Sequence, residues 1–185
     1  MEKKENQRVV LSKRMIREAF LKLLEKKNIR DISIRELCEK AGINRSTFYV
    51  HYGSQYDVLS EIGNCYILQI AEQMEQMDSH NREDARYRIE EVLRYAEDNL
   101  SLSRMLINNN LDESFAQRLF SLPRINELLD DALSQVEDVH QKNACFLFAI
   151  SGAYHLIQQW LNEEERIPAS REAEIILELA GRVCK

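Results

Sequence analysis

Between Ser33 and Tyr52 the chain reads SIRELCEKAGINRSTFYVHY, with two helix starts and one helix stop in close succession. Ser33 is a good N-cap, and Glu36 three residues on gives the spacing of a capping box. Ile34, Leu37, Cys38 and Ala41 then recur at helical spacing as an apolar stripe. Gly42 can adopt the left-handed conformation that ends a helix, and Asn44 caps a third helix beginning at Arg45. Upstream, Ser12 to Lys26 reads as an amphipathic helix through Ile16, Ala19, Phe20, Leu23 and Leu24, before NIRDI breaks the period. Three short helices with a tight glycine turn between the second and third make a helix-turn-helix.

The rest of the chain is punctuated too sparsely for an all-β protein. Five Gly and two Pro serve all 185 residues, which implies long helices joined by short loops. A long helix is expected over 54–77, a polar loop at 78–84, and a helix over 85–99. Two shorter helices follow, broken around 108–114 and at Pro123, then helices over 124–138, 140–164 and 171–183. The expected fold is all-α with about nine helices, a helix-turn-helix domain over 1–55 and a larger helical domain over 56–185. Helix 140–164 is apolar over most of its circumference in its first half and carries the small residues Ala149, Ser151, Gly152 and Ala153. Such a helix must be covered on two sides. A second copy of the chain covers one side in the dimeric reading. In the monomeric reading both C-terminal helices complete one core.

Charge divides along the same boundary. Residues 1–55 hold 13 Lys+Arg against 7 Asp+Glu, a net of +6, and the remaining residues hold 12 against 24, a net of −12. An acidic body with a basic end suits a module that meets a polyanion, although six excess charges also suit a solvated face. Cys38, Cys65, Cys145 and Cys184 form no CxxC pair and no spacing with His that suits a metal, so all four read as thiols in a reducing cytoplasm. MEKKENQRVVLSKR has no apolar segment of the signal-peptide kind, and the longest nearly apolar run, 144–157, is shorter than the ~20 residues that span a bilayer. The expected location is the cytoplasm. His51, His80, His140 and His155 are scattered. No phosphate-binding glycine loop or nucleophile elbow occurs, so neither catalysis nor a metal or other cofactor is expected.

On the third helix, Phe48 and Tyr52 are four apart and suit an inner stripe, with Ile43 packing just before it. That leaves Arg45, Ser46, Thr47, Tyr49 and His51 facing outward. Thr and Tyr hydroxyls and a His N–H donate to phosphate oxygens, Arg can pair with guanine, and a Thr methyl can touch that of thymine. Residues roughly 8–62, through I-x-x-L-x-x-x-A-G-I-x-x-x-T-F-Y-x-H-Y, resemble the DNA-binding domain of TetR-family transcription regulators. The resemblance implies that Arg45, Ser46 and Thr47, next to the cap Asn44, approach bases or nearby phosphates, and that Tyr49 and His51 hold the backbone. It places Ser33 and Arg35 at the backbone or an adjacent base, with a basic arm at Lys3, Lys4 and Arg8.

GAYHLIQQWL and the final helix resemble more loosely the C-terminal region of a TetR-like subgroup, in which the last two helices pair with their copies. The family also implies a pocket for a small effector in the body. Tyr66, Met105, Phe115, Tyr154, His155 and Trp160 are candidates for its lining, although each reads first as plain core. The resemblance implies a homodimeric regulator of double-stranded DNA, with repression the family's commoner mode. The alternative on the same scaffold is a coactivator or protein–protein interaction module that works through a partner protein, with weak or no DNA binding of its own.

One residue departs from the family pattern. Where the family usually places a phosphate-gripping Lys at the start of the fourth helix, this chain has Gln55, preceded by Gly53 and Ser54. Gln donates a hydrogen bond but releases no counterion. Gln55→Lys is therefore expected to raise DNA affinity and steepen the log–log salt dependence by about one unit. A salt titration giving an unchanged slope refutes the assignment of this position.

Overall fold

The computed structural model describes residues 7–76, 78, 80–108 and 113–183. Lys3, Lys4, Cys184 and most of the expected break at 108–114 lie outside the described residues. Within them the chain forms ten α-helices and one short 3-10 turn, and no strand. The chain divides into two compact units, one ending at Cys65 and the other beginning at Tyr66.

The first unit contains α1 (Gln7–Leu24), the 3-10 turn Ile29–Asp31, α2 (Ile34–Ala41), α3 (Arg45–His51) and the start of α4 (Gln55–Met74). NIRDI thus forms a turn with its own cap, the Asn28 side chain accepting from the Arg30 N–H at 3.2 Å. The stripe of α1 buries Ile16, Ala19, Phe20 and Leu23, as its period requires. α2 and α3 pack on α1 and bury Leu37, Cys38, Ala41 and Phe48, and Val58, Leu59 and Ile62 of α4 are buried too.

The second unit holds the rest of α4, α5 (Arg82–Asp98), α6 (Leu100–Asn108), α7 (Glu113–Phe120), α8 (Pro123–Ala132), α9 (Val139–Asn162) and α10 (Ala169–Val183). Two boundaries moved from their expected places because of caps. Asn81 accepts from the N–H groups of Glu83 and Asp84 at 3.0 and 3.2 Å, drawing Arg82–Asp84 out of the expected loop and into α5. Asp138 accepts from His140 and Gln141 at 2.7 and 3.1 Å, so it starts α9, while α8 already ends at Ala132.

The core of this unit gathers Leu93, Ala96, Ile107, Trp160, Leu161, Ala173 and Ile176. Trp160 satisfies its one donor by an N–H bond to the Ile167 carbonyl at 2.8 Å. The carbonyl end of α9 is held by cations, with Arg104 donating to Leu161 O at 2.6 Å and Arg166 to Glu163 O at 2.9 Å. Positive charge is favourable there because the carbonyls at a helix C-terminus are otherwise unpartnered.

Glu172, buried in the first turn of α10, has its carboxyl pushed above the ordinary range by desolvation and then by the nearby charge of Glu163. A folded-state pKa above the unfolded one favours folding while the group is protonated and opposes it once pH rises through the folded value. Glu172→Gln is therefore expected to raise the Tm at pH 7.5, the gain shrinking to nothing as pH falls below about 4.3. Thermal melts across that range check the sign.

Candidate nucleic-acid interface

α2 ends in a two-bond turn. The Gly42 N–H donates to Glu39 O at 3.3 Å, and the Ile43 N–H to Cys38 O at 3.0 Å. Gly42 sits at φ +67, the one positive φ among the described residues. A Cβ there would meet nothing closer than the Met15 side chain at 3.8 Å, so backbone conformation, not space, demands glycine. Two residues later the Asn44 side-chain oxygen accepts three bonds: the Thr47 N–H at 2.8 Å, the Thr47 hydroxyl at 2.8 Å and the Ser46 hydroxyl at 2.7 Å. Asn44 is thus the cap of α3, and its amide nitrogen takes part in none of these bonds.

The helix that follows is divided between two surroundings. Phe48 is wholly buried, and Tyr52 just beyond α3 is buried beside it, their ring centroids 5.7 Å apart. Arg45, Ser46 and Tyr49 are exposed, Tyr49 at 57%, while Thr47 and His51 are half-buried. Tyr49 braces its ring edge-on against Phe48 at 5.6 Å, which holds its hydroxyl away from the core. The segment's aromatic and polar residues therefore separate by face: one ring fills the core and another stands on it.

Val50 was missed by the sequence reading. It is 76% exposed, among the most exposed large apolar residues of the chain, and sits one turn after Ser46 on the outward side. The signal was present: if Phe48 faces in, helical spacing sends residue 50 out.

The cations and amides flanking α3 are largely engaged within the unit. Ser33 caps α2 by accepting from the Glu36 N–H at 3.2 Å, while the Glu36 carboxylate takes Lys27 at 2.6 Å. Arg35 is exposed and pairs with Glu39 at 2.8 Å, and that hydrogen bond and charge raise its pKa further. Lys13 and Arg17 of α1 both meet Glu61 of α4, at 3.2 and 3.3 Å. The Tyr52 phenol lies in the same cluster and is pushed upward by burial first and by Glu61 second. Gln55 is the first residue of α4 and half-buried. Just before it, the N–H groups of Gly53 and Ser54 donate to the Asp57 carboxylate at 2.7 and 3.0 Å. The place where a phosphate could dock on α4 is thus already served by a carboxylate of the chain itself.

The six effector-pocket candidates fall in four places. Tyr66 is buried, shares a hydrogen bond of 2.7 Å with Ser103, and its pKa is pushed up to about 12, mainly by burial. Phe115, also buried, has its ring 6.2 Å from that of Tyr66. Met105 is half-buried on α6, and Trp160 lies in the core. Tyr154 and His155 line a groove of about 420 Å³ between α7, α8 and α9. A separate cavity of about 110 Å³ is lined only by apolar residues, among them Met74, Val92, Leu119, Phe120 and Ala153, and includes none of the six. Nothing in the sequence marked Phe120 or Leu119 as lining, because the short helix that carries them packs by contacts made far along the chain.

Among the described residues, no group of three or more His, Cys, Asp or Glu is placed to hold a metal, and no helix is long and apolar enough to cross a membrane.

Residues 16–62 match the family described as bacterial regulatory proteins of the tetR type, and residues 83–181 match its transcriptional regulator C-terminal region. An uncharacterized HTH-type transcriptional regulator, YxbF of Bacillus subtilis (strain 168), is 26% identical over 173 residues. That alignment covers 90% of this chain and 44% of the relative, so the chain spans under half the relative's length. Among solved structures, a TetR transcriptional regulator of Streptococcus agalactiae 2603V superposes with a TM-score of 0.73 at 20% identity, covering 97% of this chain and 96% of that one. FadR of Thermus thermophilus, a TetR-family transcriptional repressor solved with lauroyl-CoA, gives a TM-score of 0.63 at 18% identity, covering 91% and 92%. With its C-terminal region matched over more than half of the sequence and its helix-turn-helix matched besides, the chain belongs to the TetR family of transcriptional regulators.

Proposed function

We propose that the protein is a cytoplasmic, sequence-specific DNA-binding repressor. It would act as a homodimer on a pseudo-palindromic operator, with residues 1–55 reading DNA and 56–185 carrying dimerisation and effector binding. The observation that carries this reading is the two-faced α3: Phe48 wholly buried, with Arg45, Ser46, Tyr49 and Val50 exposed on the other side. A helix so presented suits the major groove. Arg45 would pair with a base, Tyr49 and His51 would hold phosphates, and the Val50 methyls would meet a thymine methyl. Ser46 and Thr47 would redirect hydroxyls that now point at Asn44, a rotation about one bond. Ser33 and Arg35 would reach the backbone, with Arg35 exchanging Glu39 for a phosphate.

Support for the dimer comes from α9 and α10. Leu147 and Phe148 are 66% and 67% exposed, and a Cβ placed on Gly152 or Gly181 would meet nothing within 4 Å. One head contacts too few base pairs for useful specificity, whereas two heads bind half-sites about one turn or a small multiple apart. An effector that binds one spacing of the heads better than another must shift DNA affinity by the same coupling factor.

The coactivator reading draws on the start of α4, where Gln55 brings no charge and Asp57 occupies the Gly53 and Ser54 amides. Both features weaken phosphate binding. Chromatography on DNA resin separates the readings, since a coactivator washes off at low salt.

Arg45→Ala is expected to cost about 1–3 kcal/mol in operator binding with an unchanged Tm. Asn44→Ala is expected to lower stability by about 1 kcal/mol as well as binding, because it removes the cap of α3. Phe148→Glu should yield a folded monomer by sedimentation that no longer holds the operator. If all three variants bind selected DNA as the parent does, the repressor reading fails.

A further inference from the structure

The apolar cavity and the groove between α7, α8 and α9 have two lining residues in common, Phe120 and Ile150. They are therefore neighbouring compartments separated by those side chains. Phe120 is the last residue of α7, and its ring meets Tyr154 edge-on at 6.0 Å. Tyr154 is anchored by its hydroxyl, which donates to Ile107 O at 2.6 Å, so on the groove side a tethered ring stands against Phe120.

The two compartments differ sharply in chemistry. No polar side chain lines the inner one. A charge or an unpaired hydroxyl placed there loses its hydration with no partner to replace it. Its volume is about 110 Å³. A cavity of about 150 Å³ admits benzene, so this one suits an alkyl group of about four or five carbons. Among the described residues the outer groove offers hydrogen-bonding groups from Gln117, Ser121, Asn126, Ser151 and His155, but no Lys, Arg, Asp or Glu. With the His155 ring neutral, no described lining residue carries a charge to neutralise a carboxylate, a phosphate or an ammonium group. His155 Nδ1 lies 2.7 Å from Ser151 O. A carbonyl can only accept, so Nδ1 carries the proton and Nε2 is the ring's acceptor when the ring is neutral.

We propose that this pair of compartments binds an uncharged amphiphile, its short alkyl portion in the inner cavity and its amide-, alcohol- or ester-like head in the groove outside Phe120. The inference deepens the effector part of the reading above and rests on it. Ser151 and His155 lie on the same side of α9 as Leu147 and Phe148, so the partner copy in the proposed dimer would close the outer end of the groove over the head. Such closure couples occupancy to the dimer arrangement.

The test is calorimetric titration of the full chain, without DNA, by straight-chain primary amides of three to nine carbons, with the matching carboxylates and alkylammonium ions at pH 8. Saturable amide binding is expected. Affinity should rise about fourfold per methylene and level off once the cavity is filled. The charged series should bind at least tenfold more weakly. Ala153→Phe, which fills the cavity, should abolish the chain-length dependence. Asn126→Leu, on the groove, should weaken every amide by a similar factor and keep that dependence, and it is read whether or not Ala153→Phe folds. Absence of saturable amide binding, equal binding of the carboxylates, or a folded Ala153→Phe that binds like the parent would overturn the proposal. Because no DNA is present, failure here leaves the DNA-binding reading standing, and failure of DNA binding leaves this measurement valid.

Discussion

The third helix, α3, hangs on one carbonyl oxygen. Asn44 Oδ1 gathers the Thr47 N–H and the hydroxyls of Ser46 and Thr47, satisfying a helix start that is only seven residues long. So short a helix is not stable by itself, since nucleation costs more than a few internal bonds return. It persists because the cap holds one end, the left-handed turn at Gly42 aims it, and Phe48 inserts into the core beneath. Burying that ring contributes roughly 1.5–3 kcal/mol. The outward residues of α3 make no comparable contribution to folding, which leaves them available to bind.

Charge in the first unit is less available than its net of +4 suggests, from 13 Lys+Arg against 9 Asp+Glu over residues 1–65. Lys13 and Arg17 converge on Glu61, Lys27 on Glu36 and Arg35 on Glu39. Pairs this exposed add little stability each. In the proposed function their larger effect would be on binding, because a phosphate would have to compete with a carboxylate already in place. The same holds for the amides before α4, which Asp57 occupies. In the proposed function net charge would still draw the unit toward DNA, but short-range contact would depend on how readily these carboxylates are displaced.

The second unit separates its polar and apolar needs. Several buried polar groups there are paired: Tyr66 with Ser103, Trp160 with Ile167 O, and Glu90 between Arg86 and Arg94 at 3.0 and 2.6 Å. One wholly apolar space remains beside a polar groove, with Phe120 common to both. An unfilled apolar space forfeits dispersion contacts on its lining, so a ligand that fills it is bound partly by restoring them.

Local signals in the chain settled its first unit. Ser33, Gly42 and Asn44 act within a few residues of themselves, so the helix boundaries from 33 to 51 and the inward turn of Phe48 could be read directly. The family followed from the same residues. In the second unit the helices were legible from their period, but the caps at Asn81 and Asp138 were overlooked. Whether an aromatic residue there is core or lining was not legible at all, because that depends on which helices meet it from far along the chain. Tertiary packing put Trp160 and Tyr66 in the interior, set Phe120 between two compartments, and turned Asp57 onto the amides beside Gln55. The physical reason is range: capping and periodicity act over one or two turns, whereas a cavity is a property of several helices that no stretch of sequence contains.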